Sequence, residues 1–300
     1  LMAWSGGDLT GTWALGTGTA LSASSGATKR FVGASFVNDG TFRWSTTDTL
    51  QNGNSSSFTN NGLTEVTESA TFEWVFGGQP NFTNAASGTV RATNNATLTF
   101  GSLALTSNGG LFEAAPGSAI RFIGNTNRFN DGTRFVGDQR MQGTARFVDT
   151  IHSDNLRFLG GTQNGGDGVT PGSRAHLAGV VSYEGGDLSG AWTINNGATV
   201  TGIGGGVKRL VGADIVNNGT FRWSTTATLQ GGNSSRFTNN GLTEVTESAT
   251  FQWNFGGQQA FTNAISGTVR ATDNATLTVG DIALTSNGGL FEALPGAQIN

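Results

Sequence analysis

The chain repeats itself at a fixed offset of 179 residues, so its fold must accept a second copy of the same unit without redesign. Gly6-Gly7-Asp8-Leu9 recurs as Gly185-Gly186-Asp187-Leu188, Lys29-Arg30 as Lys208-Arg209, and Thr41-Phe42-Arg43-Trp44 as Thr220-Phe221-Arg222-Trp223. Between Gly33–Ile120 and Gly212–Ile299, 18 of 88 positions differ and no insertion is needed; residues 1–32 match 180–211 at only 11. This predicts a first unit over 1–179 and a second, incomplete one over 180–300, forming one continuous rod. The pattern stops at Ile299-Asn300 where Ile120-Arg121 continues, which points to an array longer than this segment.

A shorter period runs inside the unit. Gly40, Gly62, Gly88, Gly110 and Gly132, each preceded by a Phe- or Leu-led, Asn-containing turn, are spaced by 22, 26, 22 and 22 residues. Each opens a run rich in Thr, Phe, Val and Trp, and a second run follows, such as Ala70-Thr71-Phe72-Glu73-Trp74. Short β-prone runs bounded by Asn, Gly and Ser at this period predict an all-β fold, a parallel β-helix (β-solenoid) with coils of about 22 residues. Composition agrees: 48 glycines and only 12% charged residues exclude an all-α chain, while 4 prolines, 20 Phe and 7 Trp exclude disorder.

Alternation after each glycine assigns the faces. Two and four residues on come Phe42 and Trp44, Thr64 and Val66, Val90 and Ala92, Phe112 and Ala114, which suit an interior. Between them, pointing outward, come Arg43, Glu65, Arg91 and Glu113, repeated as Arg222, Glu244, Arg270 and Glu292. Stacked at about 4.8 Å, these form an outward ladder of alternating charge that pins coil register, since a slip breaks every pair together. Asn38, Asn60 and Asn84 predict a second ladder at a turn, with side-chain amides bonded along the axis. From Arg121 to Gly179 the pattern is less regular. Phe129, Phe135, Phe147 and Phe158 carry coils through it, and Gly160 to Arg174 reads as a longer loop, where localised recognition would sit.

Candidate chemistry is sparse. Glu65, Glu68 and Glu73 suggest the carboxylate pair of a glycoside hydrolase, but Glu73 becomes Gln252 and Glu65 belongs to the ladder. His152 and His176 lack triad or metal context. Gly202 to Lys208 imitates a phosphate loop without its Ser or Thr. No cofactor is expected. There is no cysteine for a disulfide or thiolate metal site. Sixteen Lys and Arg against 20 Asp and Glu leave no nucleic-acid footprint, and no apolar run is long enough for a membrane span. The tryptophans recur as Trp13, Trp44 and Trp74, then Trp192, Trp223 and Trp253. An exposed aromatic row would stack on sugar rings. Alternation places Trp44 inward, and Trp74 with Phe72 and Phe76, so a stacked aromatic core is expected instead.

The Phe-x-Asn-x-Gly-Thr pattern, the Thr- and Asn-rich coils and the near-identical long modules resemble the repetitive β-helical stalks of large bacterial surface proteins, of the filamentous-haemagglutinin-like adhesin or autotransporter passenger type. The resemblance implies export, an extracellular or cell-surface location, and a stalk or fibre role without catalysis. Implied partners are neighbouring copies of the chain, end to end or laterally, and surface glycans. A polysaccharide-binding repeat array is the alternative, and a β-helix polysaccharide lyase or hydrolase a further one.

Overall fold

A computed structural model describes residues 1–24 and 26–300. Two compact units divide them, Leu1–Ala145 and Arg146–Asn300. This boundary falls ahead of the 179-residue repeat, because the long strand Asp149–Phe158 pairs with Ala175–Tyr183 inside the second unit. Each unit is an all-β parallel solenoid, with no helix among the described residues, coils of roughly 22 residues and about 14 coils in all.

In the first unit the coils contribute three strands each, one to each of three faces, and from Met2 to Asn130 the strands of successive coils pair in parallel with their equivalents. The first face stacks Ala20–Ser24, Thr41–Ser45, Leu63–Val66, Thr89–Ala92 and Leu111–Ala114 in register. Phe42, Thr64, Val90 and Phe112 form one buried row, and Trp44, Val66, Ala92 and Ala114 a second. On the third face Phe36, Phe58 and Phe82 superpose, with ring centroids 5.0 and 4.9 Å apart. On the second, Phe72, Phe100 and Phe122 follow at 5.9 and 5.6 Å. Each ring taken out of water contributes about 1.5–3 kcal/mol, and stacking repeats that gain coil after coil. The second unit rebuilds the arrangement, with Phe237 and Phe261 5.2 Å apart. At its start, Ala175–Tyr183 and Gly186–Ile194 each turn a corner and serve two faces.

The periodic glycines answer to crowding at one corner. A Cβ on Gly62 would lie 2.3 Å from the Gly40 carbonyl oxygen, and one on Gly88 2.2 Å from that of Asn60. At these positions the coils approach too closely for a side chain. Gly132 does not belong to this series. Register pairs Leu111 with Arg134, so Thr133 takes the corner and Gly132, with φ +76°, makes the turn before it. Thr133 fits because its buried hydroxyl donates to the Asn130 carbonyl at 2.7 Å and bonds to Ser107 Oγ at 3.0 Å.

The irregular segment does continue the coils, since Phe129, Phe135, Phe147 and Phe158 are all buried. The tryptophans expected in a stacked core do not all enter it. Trp44 and Trp223 are fully buried, but Trp74 and Trp253 are each 37% exposed. A register shift between Trp74 and Phe76, opposite Asn52 and Gly53, breaks the alternation and carries Trp74 outward; the same shift falls between Trp253 and Phe255. It occurs on the 26-residue coil, where the register offset grows from 22 at Leu50–Phe72 to 24 at Phe58–Phe82 across the bulge, and to 26 at Leu63–Thr89 across the next turn.

Candidate functional site

The charged residues of the first face meet as pairs. Arg43 Nε donates to Glu65 Oε2 at 2.8 Å and Arg91 Nε to Glu113 Oε2 at 2.7 Å. In the second unit Arg222 reaches Glu244 and Arg270 reaches Glu292, both at 2.8 Å. Glu65 and Arg91 face each other in register, as do Glu244 and Arg270, yet among the described residues no ion pair joins them. Each arginine therefore links two coils, and the next link falls one coil later. Such half-exposed pairs contribute about 0.2–1 kcal/mol each. Two more pairs of this kind escaped the sequence reading, Arg30 with Asp8 and Arg209 with Asp187, both at 2.6 Å. Their signal was present as opposite charges 22 residues apart.

Behind the charges, at the glycine corner, Asn38, Asn60 and Asn84 form a buried spine. Asn38 Nδ2 donates to Asn60 Oδ1 at 2.8 Å, and Asn60 Nδ2 to Asn84 Oδ1 at 2.9 Å. The same amide nitrogens also donate to the carbonyls of Leu63, Thr89 and Leu111, at 3.0 to 3.1 Å. Asn217, Asn239 and Asn263 repeat the spine. It ends where Ser107 stands in register with Asn84. Asn60 thus ties three coils through a fully buried site, where an unpaired amide is costly.

Two buried lysines were also missed. Lys29 is fully buried over the Trp44 ring at 5.7 Å, with Nζ 3.1 Å from Asp48 Oδ2. The hydrogen bond with Thr46, and then Lys29, hold the Asp48 carboxyl below its usual value. Lys208 occupies the same place over Trp223, again at 5.7 Å, but Ala227 replaces the aspartate. Its Nζ donates instead to the carbonyls of Gly204 and Gly206, at 2.7 and 3.0 Å. Burial lowers the Lys208 pKa, and Glu184 only partly opposes this. The glycine-rich loop that imitates a phosphate site is therefore a cradle for this ammonium.

The remaining candidates do not converge on a catalytic centre. Glu65 is engaged by Arg43, and Glu73 stands in register with Gln51 on the second face. His152 faces Ala178 and His176 faces Thr150, each in register, so the two imidazoles are not paired. The loop from Gly166 to Arg174 closes on itself. Asp167 Oδ1 accepts from the Val169 and Thr170 amides at 2.9 and 2.8 Å, and the Thr170 side-chain hydrogen bond, followed by these two, holds its pKa at about 2. Among the described residues, no group of three or more His, Cys, Asp or Glu is placed to hold a metal, and no helix is long and apolar enough to cross a membrane. Set against family models, curated proteins and solved structures, the chain finds no significant match in any of the three.

Proposed function

We propose that the chain is a section of an extracellular or cell-surface stalk or fibre, structural and adhesive in role and without catalysis. The observation that carries this reading is the use made of its polar chemistry: Arg43–Glu65, Arg91–Glu113, Asn38–Asn60–Asn84 and their second-unit equivalents all join one coil to another. A module whose polar side chains hold it to its own neighbours can be lengthened by duplication, because each coil needs only the next. Neighbouring copies and surface glycans are the partners of such a stalk, and repetition of one surface lets weak contacts sum. A polysaccharide-binding array is a second reading, favoured by the exposed Trp74 and Trp253.

Incubation with a panel of surface polysaccharides, with reducing ends measured over time, tests the proposal alongside electron microscopy of the native assembly. No product and a rod or fibre are expected. Release of oligosaccharides overturns the non-catalytic reading.

A further inference from the structure

We infer that the outward aromatic ledge of each module, Trp74 with Phe76 and Trp253 with Phe255, is a stacking site for a neutral polysaccharide. The inference rests on the adhesive-stalk reading and names the surface that would adhere.

The ledge is built, and built the same way twice. Trp74 Nε1 donates to the Phe76 and Gly77 carbonyls, each at 3.1 Å, and Trp253 Nε1 to the Phe255 carbonyl at 3.1 Å. The polar edge of each indole is thus tied to its own bulge, which fixes the ring before any ligand arrives and reduces the ordering cost of binding. Phe76 lies against Gly53, where a Cβ would come 2.3 Å from the ring, and Phe255 lies against Gly232 at the same distance.

The two modules also differ at this place in an informative way. Glu73 becomes Gln252, and Val75, the most exposed apolar side chain of the bulge at 50%, becomes Asn254. Apolar surface is shed beside the ring while the exposed Trp, seated on a mostly buried Phe, remains. Burial does not account for keeping a tryptophan there.

The surroundings select the occupant. Gln51 stands in register with Glu73, and Asn54 and Ser55 turn at the exposed corner one coil before the bulge. Their second-module equivalents are Gln230, Asn233 and Ser234. Amides and hydroxyls suit sugar hydroxyls, and an indole face suits the C–H face of a pyranose ring. No Lys or Arg occurs in 51–55, 73–79, 230–234 or 252–258, and the cations one coil away, Arg30 in register with Gln51 and Arg209 with Gln230, are already bonded to Asp8 and Asp187, so an acidic polysaccharide or a nucleic acid finds no uncommitted counter-charge.

Native gels cast with a neutral glucan, mannan or galactan, or with a uronic-acid polysaccharide, give the test as mobility against polysaccharide concentration. Retardation of the unaltered chain is expected in at least one neutral gel and not in the acidic one. Trp74→Ala or Trp253→Ala is expected to weaken it roughly tenfold, one ring's interaction, and the double variant to abolish it. Val75→Asn, which copies the second module, leaves it unchanged. If the double alanine variant melts early, Trp74→Phe/Trp253→Phe replaces it and retains part of the retardation. Absence of retardation in every neutral gel, or equal retardation of the double variant, overturns the inference and leaves the scaffold reading intact. Release of reducing ends inside the gel overturns both.

Discussion

Asn60→Ala separates the buried spine from the surface charges as the source of coil-to-coil stability. Asn60 makes four hydrogen bonds: it accepts from Asn38 Nδ2 at 2.8 Å and from Thr64 Oγ1 at 3.0 Å, and donates to Asn84 Oδ1 at 2.9 Å and to the Thr89 carbonyl at 3.1 Å. Removing the amide leaves Asn38 its bond to the Leu63 carbonyl. Asn84 Oδ1 and the Thr64 hydroxyl lose this bond where neither has solvent access, and the Thr89 carbonyl loses it in a partly buried position. At about 1–3 kcal/mol per buried orphan, and toward the low end because a cavity of amide size can admit water, the cost is roughly 3–6 kcal/mol. Glu65→Ala on the adjoining surface costs only about 0.2–1 kcal/mol. Urea denaturation of the whole chain, with hydrogen exchange to locate the loss, measures both. Exchange should rise in three successive coils around Asn38, Asn60 and Asn84 while the second unit is unaffected, and Asn239→Ala should mirror the effect there. A loss below about 1 kcal/mol for Asn60→Ala, or a larger loss for Glu65→Ala, refutes the reasoning.

The lysine pair yields a pH prediction. Since burial lowers Lys208 below its ordinary 10.5, the unfolded chain holds more protons between the two values, so stability rises as pH climbs through that window; the deficit is complete below it. Ala227→Asp, which restores the arrangement of Lys29 with Asp48, should stabilise the second unit by roughly 1 kcal/mol at neutral pH and flatten the alkaline rise, as read by denaturation at several pH values. A second prediction concerns a paired exchange between the modules. In the first, Asn52 donates to the Leu50 and Glu73 carbonyls, and position 80 is a proline. In the second these positions are Gly231 and Gln259, and a Cβ on Gly231 would lie 1.4 Å from Gln259 Oε1. Gly231→Asn alone should therefore destabilise, Gln259→Pro should rescue it, and the coupling in a double-mutant cycle should reach about 1–3 kcal/mol; additive effects would contradict the account.

Most of the fold was legible because it rests on two periods that a sequence displays directly. The alternation around Arg43, Glu65, Arg91 and Glu113 assigns first-face side chains to interior and exterior in every coil, and the Asn residues ahead of the glycines mark the inner corner. What was hidden arises where a local event changes the phase. One bulge turned Trp74 from core to surface, and a threonine able to bond its own turn displaced Gly132 from the corner by one position. Lys29 and Lys208 were unreadable for another reason. Lysine is ordinarily a surface residue, and only the closed packing over Trp44 and Trp223 reveals that both are buried and that Ala227 leaves one of them without a carboxylate.

Register is the claim on which the spine, the charge pairs and the exposed ledge all depend, and disulfide trapping measures it directly in a chain that has no cysteine of its own. Thr59 and Thr83 face each other in adjacent parallel strands of the third face, and Thr106 follows one coil further on. Adjacent coils stand about 4.8 Å apart, within disulfide reach, and two coils about 9.6 Å apart, beyond it. Thr59→Cys/Thr83→Cys is predicted to oxidise to an intramolecular disulfide, and Thr59→Cys/Thr106→Cys to remain reduced. Free thiols in the first variant, or a disulfide in the second, would contradict the stacking of these coils in register.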